Sequence, residues 1–555
     1  MNEVSFMKAA LAQIDPVVGD FEGNFKKIKN AYERACDQQA RFILFPELCV
    51  SGYTLYDLLD HIEIFNKTQS VLLRIAQLTE GKKTALIVGH LSREGGSQWN
   101  EASVFENGVC VFSQKKTHLP TYDVFDEKRY FEPASSHGIW NCDGAKILIS
   151  ICEDLWESQN SELWETYEAL HPDLILSLSA SPYEWNKRKR RESLHSEVSK
   201  KLNAPLIYVN QVDATDEILF DGGSFFTDEQ GEIKGRFPFF ETSFGVVDLS
   251  SKTWIEPPQR EPSSGEFPKE IQILMEGLIY GIRSYFKKTG FQKAIIGLSG
   301  GIDSAVVATL AVQALGAENV LGIAMPSQHS SSHSLSDADT LAKNLRMTLE
   351  IRPIKFLNSV ALREFSEGRG SLNEIAQENL QSRLRGLLLM TLANHIHGLV
   401  ITTGNKSEMA TGYATLYGDM CGAIAPLGDV VKTRVYELAH QLNHSFGSCI
   451  PISSIEKPPS AELRPGQVDE ESLPPYPLLD QILESYLEKE IPIHQIKEQH
   501  IHPELEARLG KDWFDQLIRK IHLNEYKRAQ AAPVFKVTSK AFGIGRRIPI
   551  ARYIE

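Results

Sequence analysis

Read for hydrophobic period, the chain changes texture once. Over its first 250 residues, short β-rich apolar runs alternate with longer polar–apolar stretches. FMKAALAQ, RFILFP, KTALIVGH, SVFENGVCVFS, KILISIC, DLILSLSA, PLIYVNQ and SFGVVDL each predict a strand. Helical spacing fills some gaps, as in NFKKIKNAYERACDQQA and SLHSEVSKKLN. Strands outnumber helices, which predicts sheets packed face to face with helices outside. The stretch IEPPQREPSSGEFPKE then gathers four prolines and few apolar residues. Proline removes backbone donors, so a linker is predicted at 257–267, between a domain over 1–256 and another over 268–555. Beyond the linker, QILMEGLIYGIRSYFKKTG reads as helix, KAIIGLS as strand and GIDSAVVATLAVQALG as helix. VLGIAMPS, LEIRPI and GLVITTG follow as strands, with SLSDADTLAKNLRM helical between them. Such alternation predicts βαβ units and a doubly wound parallel sheet, so the fold class is α/β. KPPSAELRPGQVDEESLPPYP fits neither period and is expected to be a functional loop or lid over 458–477.

Composition narrows the setting. The 555 residues are 42% hydrophobic and 23% charged, which is globular usage. Fifty-eight basic against 72 acidic side chains leave a net charge of −14, arguing against nucleic-acid or anionic-membrane partners. No apolar run approaches the roughly 18 residues of a membrane helix. The start, MNEVSFMKAALAQIDP, carries Glu3 and lacks the basic segment of a signal peptide. Seven cysteines without CxxC spacing suit reduced thiols and no zinc site. A cytoplasmic, multi-domain protein is expected. KRKRR at 187–191 reads as a helix's solvated face, and the histidines of HSSSH as loop residues.

LSGGIDSA is the sharpest local signal. Gly300 and Gly301 allow close approach of an anion, and Ser299 and Ser304 offer hydroxyls. The helix expected from Ile302 adds a favourable dipole. Asp303 makes sense in such a loop as a Mg2+ ligand. No GK[ST] closes it, so it is not a Walker A loop. The motif, Gly297 to Ser304 including Leu298, resembles the phosphate loop of the ATP pyrophosphatases, which cleave ATP between its α- and β-phosphates. ENLQSRLRG, TTGNKSEMATGYATLYGD, PLGDVVKTRVYELA, PPSAELRPGQVDEESLPPY and NEYKRAQAAPVFKVTSKAFGIGRR resemble blocks of the NAD synthetase family, in that family's order. The resemblance implies that Thr403 contacts ATP, that Glu408 ligates Mg2+ or contacts substrate, and that Lys432 neutralises the departing phosphates. It places Asn379, Arg383, Asp419 and Lys527, with Glu408, against deamido-NAD; Arg385 is the weakest candidate. Leu416 stands where single-domain relatives carry a polar or basic residue. Without a ligand, Arg383 and Arg385 would simply pair with Glu378.

In the first half, Glu47, Lys116 and Cys152 each follow a strand run. Amide hydrolysis needs a nucleophile stronger than water, which Cys152 supplies as thiolate. Glu47 can act as general base and then acid, and Lys116 can stabilise an oxyanion. FPELCVSGY, KKTHLPTYDVFDEKRYF and ISICEDLW resemble motifs of the nitrilase superfamily. The fold implied is an α-β-β-α sandwich, with a Rossmann-like pyrophosphatase domain after it. Glu127 is expected to orient Lys116. Tyr122, Ser181 and Lys187 match the glutamine-binding positions of the glutaminase branch.

Together the halves imply ATP-dependent amidation of deamido-NAD with ammonia from L-glutamine, with Mg2+ as cofactor. The ammonia would have to reach an acyl-adenylate through a dry passage, since ammonium is not nucleophilic. Homo-oligomers joined through the synthetase domain are implied as well. A different pyrophosphatase amidotransferase would carry another glutaminase, a tRNA-modifying enzyme would show a basic face, and a non-catalytic sensor would have lost the reactive residues.

Overall fold

The computed structural model describes residues 7–156, 162–256, 268–368, 370–459, 462–464, 473–500 and 503–554. The chain divides into two compact units, Met1–Pro268 and Lys269–Glu555. The expected linker at 257–267 lies outside the described residues, as does 465–472 in the expected lid.

In the first unit, β1 (Lys8–Gln13), β2 (Phe42–Leu44), β3 (Ala85–Glu94), β4 (Ser97–Glu106) and β5 (Val109–Lys115) are followed by β6 (Ile139–Cys142) and β7 (Ala145–Ile151). Then come β8 (Leu174–Ser179), β9 (Leu206–Asn210), β10 (Val212–Thr215), β11 (Ile218–Asp221), β12 (Phe225–Thr227), β13 (Ile233–Arg236), β14 (Ser243–Asp248) and β15 (Thr253–Glu256). One sheet runs β15-β14-β1-β2-β3-β4-β5, the other β13-β12-β9-β8-β7-β6, and β10–β11 form a separate hairpin. Alternation decides the layers. Leu11, Ile87, Ile147, Ile149, Leu176 and Val209 point between the sheets and make one core. Ala10, Ile43, Leu86 and Val88 point outward instead, against Phe25, Ile28, Tyr32 and Ile75 of helices Phe21–Asp37 and Ile62–Leu78. Leu148 and Ile175 meet Trp164, Tyr167 and Val198 of helices Glu162–Leu170 and Lys187–Leu202 on the far side. The layers are α-β-β-α.

Three local expectations need correction. SVFENGVCVFS is not one strand but parts of β4 and β5, because Asn107 and Gly108 adopt φ of 45° and 86° and close a hairpin. KRKRR is not wholly solvated. Arg191 is 1% exposed, and its guanidinium donates to Asp221 Oδ1 and Oδ2 at 3.0 and 3.2 Å. His333 is not in a loop; it lies in the first turn of helix Ser332–Leu345, capped by Ser331.

The second unit carries a parallel sheet ordered β18 (Thr348–Ile351), β17 (Val320–Ala324), β16 (Lys293–Gly297), β19 (Gly398–Val400). Chain order reverses between β16 and β19. Right-handed crossovers then put helices Ile302–Leu315 and Ser332–Leu345 on one face and Glu374–Ile396 on the other. Leu389 and Ala393 of that last helix pack on Ile295, Ile323 and Val400. In such sheets the crevice beyond the carboxyl ends of the strands at the reversal point is where ligands bind. Here it is bordered by 298–301 after β16 and 401–405 after β19. A second core, including Leu479, Ile482, Phe514 and Ile521, gathers the C-terminal helices on Met409 and Val534. Among the described residues, no helix is long and apolar enough to cross a membrane.

Candidate active sites

In the first unit, strand ends bring four reactive groups into a buried cluster. Glu47 follows β2, Lys116 follows β5, Cys152 follows β7, and Glu127 lies in the short turn Glu127–Arg129. Lys116 Nζ donates to Glu47 Oε1 at 2.7 Å and to Glu127 Oε1 at 2.9 Å. Asn100 Nδ2 also donates to Glu47 Oε1, at 2.7 Å, and the Ala180 amide donates to Oε2 at 2.8 Å. The Tyr53 hydroxyl donates to Glu127 Oε1 at 2.7 Å. Both carboxylates and the ammonium are nearly inaccessible to water.

Burial sets the protonation here. It would lower the Lys116 pKa, but Glu127 and Glu47 outweigh it and keep the ammonium charged. Burial pushes Glu127 up to about 7 despite the pull of Lys116. Burial, reinforced by Glu47, also raises the Cys152 thiol far above its usual range. Cys152 is therefore a thiol at rest, and the nucleophile expected from sequence would need a base to take its proton, the part expected of Glu47. Its φ of 45° makes the sharp turn from β7 into Glu153–Trp156. Two residues on, buried Asp154 accepts the Thr117 and His118 amides at 2.9 and 2.7 Å, tying the Cys152 turn to the segment after Lys116.

The expected glutamine residues surround this turn. The Tyr122 hydroxyl donates to Glu153 Oε1 at 2.9 Å, although half of Tyr122 is exposed. Ser181 is buried with its amide on Asn210 Oδ1, and Lys187 Nζ donates to the Pro182 carbonyl. Gly89 of β3 lets the Glu47 backbone come close: a Cβ there would lie 2.7 Å from Glu47 Cα and 2.5 Å from Leu48 N. Gly89→Ala should displace Glu47 and lower glutamine-supported turnover about 100-fold, because small misplacements of reacting groups are costly. Ammonia-supported turnover of the same variant should stay within about twofold of wild type, checked by initial rates with each nitrogen source.

In the second unit, Gly300 turns the chain at φ 78°, and a Cβ there would lie 2.3 Å from the Ser334 carbonyl. Only glycine fits. Ser299 Oγ accepts the Gly301 amide at 3.2 Å, and Ser304 Oγ donates to the Gly301 carbonyl at 2.9 Å. Leu298 is buried under the loop, and Ile302 opens the helix. Across the crevice, Asn405 caps helix Lys406–Thr411 with Glu408 in a reciprocal capping box. Asn405 Nδ2 donates to Asp303 Oδ1 at 2.9 Å. Lys432 Nζ bridges Asp303 Oδ2 and Glu408 Oε1, the latter at 3.2 Å. Burial opposes the charge of Lys432, but the two carboxylates overcome it and hold the ammonium well above the usual lysine range. Thr403 lies in the same stretch after β19.

Asn379, Arg383, Asp419 and Lys527 all converge on the loop 412–419. Asn379 Oδ1 accepts from Thr415 Oγ1 at 2.9 Å, and Arg383 Nε donates to the Leu416 carbonyl at 3.2 Å. Asp419 Oδ1 accepts the Thr415 amide at 2.7 Å, and Lys527 Nζ donates to the Gly412 and Ala414 carbonyls at 2.8 Å each. Glu378 faces Arg464 instead of the two helix arginines, and Arg385 donates to the Met325 carbonyl.

The carbon-nitrogen hydrolase family matches residues 8–259, and the NAD synthase family matches residues 274–531. A glutamine-dependent NAD(+) synthetase from a Synechocystis species is 43% identical, over 98% of each chain. Its counterpart from Thermotoga maritima is 38% identical, also over 98% of each. The chain belongs to the glutamine-dependent NAD(+) synthetase family. A solved structure of that family's member from Acinetobacter baumannii, in complex with ADP, superposes with a TM-score of 0.76 at 35% identity and 98% coverage of both chains.

The sequence pattern passed over Asn100 and Tyr53, which bond Glu47 and Glu127, and Asn405, which bonds Asp303. Asn405 had a readable signal, the N-x-x-E capping box in TTGNKSE. Asn100 had none. The acidic pair suits Mg2+, which binds one or two carboxylates and completes its shell with phosphate oxygens and water. Asp303 and Glu408 are partly exposed, converge on one cation, and stand at the phosphate loop.

Proposed function

We propose that this chain amidates the nicotinate carboxylate of deamido-NAD, using ATP and ammonia cut from L-glutamine, to give NAD, AMP, pyrophosphate and glutamate. The observation that carries it is the presence on one chain of a buried Glu47–Lys116–Glu127 cluster beside Cys152 and of a loop, 297–304, whose Asp303 shares Lys432 with Glu408. Cys152 attacks the side-chain amide of glutamine, Glu47 takes the thiol proton and returns it to the leaving nitrogen, and Lys116 faces the oxyanion. Tyr122, Ser181 and Lys187 hold glutamine. Gly297 to Ser304, Thr403 and Lys432 bind ATP, with Lys432 balancing charge on the departing pyrophosphate. Asn379, Arg383, Glu408, Asp419 and Lys527 hold deamido-NAD through the 412–419 loop. Asp303 and Glu408 would hold Mg2+, which when bound neutralises phosphate charge.

The synthetase unit would also join copies of the chain. Phe356, Val360 and Phe365 of helix Lys355–Ser366, and Ile375, Leu387 and Met390 of the neighbouring Glu374–Ile396, are exposed apolar side chains. A patch of that kind marks an interface. Phe356→Glu with Val360→Glu should reduce the mass measured by light scattering toward 62.3 kDa, the single chain.

The reaction is tested by mass spectrometry of products from deamido-NAD, ATP, Mg2+ and glutamine carrying nitrogen-15 in its side-chain amide. Labelled NAD with equimolar AMP and glutamate is expected. Glutamate without NAD would leave an amidase acting for a different acceptor.

A further inference from the structure

We propose that Asn100 is a positioning residue of the amidase cluster, which commits Glu47 Oε1 to hydrogen bonding and leaves Oε2 as the oxygen that takes the Cys152 proton. The proposal rests on the glutamine-hydrolysing reading above. Asn100 sits inside β4, 1% exposed, and it touches both members of the pair. Its carbonyl accepts the Lys116 amide at 2.8 Å, and its side-chain amide donates to Glu47 Oε1 at 2.7 Å. With Lys116 Nζ on the same oxygen at 2.7 Å, both acceptor positions of Oε1 are filled. Among the described residues Oε2 takes only the Ala180 amide, which leaves one position open.

Stability does not account for this residue. Asn100 Oδ1 is buried with no hydrogen-bond partner among the described residues, and an amide half satisfied in a core is less favourable than a leucine of similar size. Turning the amide round would set its oxygen against the carboxylate. The orientation that remains keeps a donor on Glu47 Oε1. In the acylation step the Sγ–H bond breaks as Sγ bonds the amide carbon. The proton passes to Oε2 and then to the leaving nitrogen, so that C–N cleavage releases NH3 and leaves a thioester.

Removing the Asn100 donor keeps Lys116, Glu127, Cys152 and Tyr53 in place and releases Glu47 Oε1 from its fixed orientation. The test separates kcat from KM for glutamate release by the full chain, wild type against Asn100→Leu and Asn100→Asp. Ammonia-supported NAD formation reports folding for each. In Asn100→Leu, kcat should fall about tenfold with KM for glutamine within about twofold of wild type, and ammonia-supported synthesis should be unchanged. Asn100→Asp, which sets an oxygen against the carboxylate in place of the donor, should lower kcat further, and it decides the matter if the leucine variant fails to fold. A kcat unchanged in both variants, or a loss carried by KM alone, overturns the role of Asn100. A wild-type chain that releases no glutamate would instead overturn the amidase reading.

Discussion

Cys152→Ala is expected to lower glutamine-supported NAD formation at least about 1,000-fold and to leave ammonia-supported formation within about twofold of wild type. Removing a covalent nucleophile costs several orders of magnitude, because the remaining donors stabilise an oxyanion that no longer forms. The surroundings of Cys152 make the variant clean. The thiol is 6% exposed and carries no charge at rest, so alanine removes one neutral sulfur and leaves Glu47, Lys116 and Glu127 paired as before. In the second unit's crevice, Asp303, Asn405, Glu408 and Lys432 hold one another. Initial rates with glutamine and with an ammonium salt at raised pH, where free ammonia is more abundant, check the expectation. Equal loss with both nitrogen sources would sink the division of labour between the units.

The two crevices differ in how far the sequence discloses them. Glu47, Lys116 and Cys152 stood out in the sequence because FPELCVSGY, KKTHLPTYDVFDEKRYF and ISICEDLW resemble nitrilase-superfamily motifs; a strand end beside each would not by itself have marked them. The loop 297–304 was legible locally, since Gly300 and Gly301 interrupt a strand–helix passage. Asn100 was not, because its partner Glu47 lies 53 positions away, and WNEAS reads as an ordinary half-polar strand. Arg191 was misread within KRKRR because the buried carboxylate that neutralises it, Asp221, is 30 residues on and belongs to a hairpin. That hairpin, Val212–Thr215 with Ile218–Asp221, was itself missed, since Asp213, Thr215, Asp216 and Asp221 mask its period. Tertiary pairing decided these places, and no window of local sequence contains it.

Asp303→Asn and Lys432→Met should each abolish NAD formation from both nitrogen sources, by about 1,000-fold, and they should differ in stability. Lys432 begins helix Lys432–Phe446 and is 2% exposed, with its amide on Ser407 Oγ and its ammonium between two carboxylates. Replacing it with methionine leaves the partly exposed Asp303 and Glu408 without their shared cation, which destabilises the fold by less than the ~3–5 kcal/mol of a fully buried pair. A lowered melting temperature should accompany the lost activity. Asp303→Asn keeps the shape and removes one charge from a site where Lys432 retains Glu408, so its melting temperature should change little. Its activity should fall nonetheless, because a charge aimed at the transferring phosphates, or at the cation they carry, is worth about two to three orders of magnitude. Pyrophosphate release with deamido-NAD and ammonia measures the chemistry, and calorimetry measures the fold. If Asp303→Asn releases pyrophosphate at the wild-type rate, Asp303 has no place at the metal or the phosphates, and the carboxylate is there only to hold Lys432.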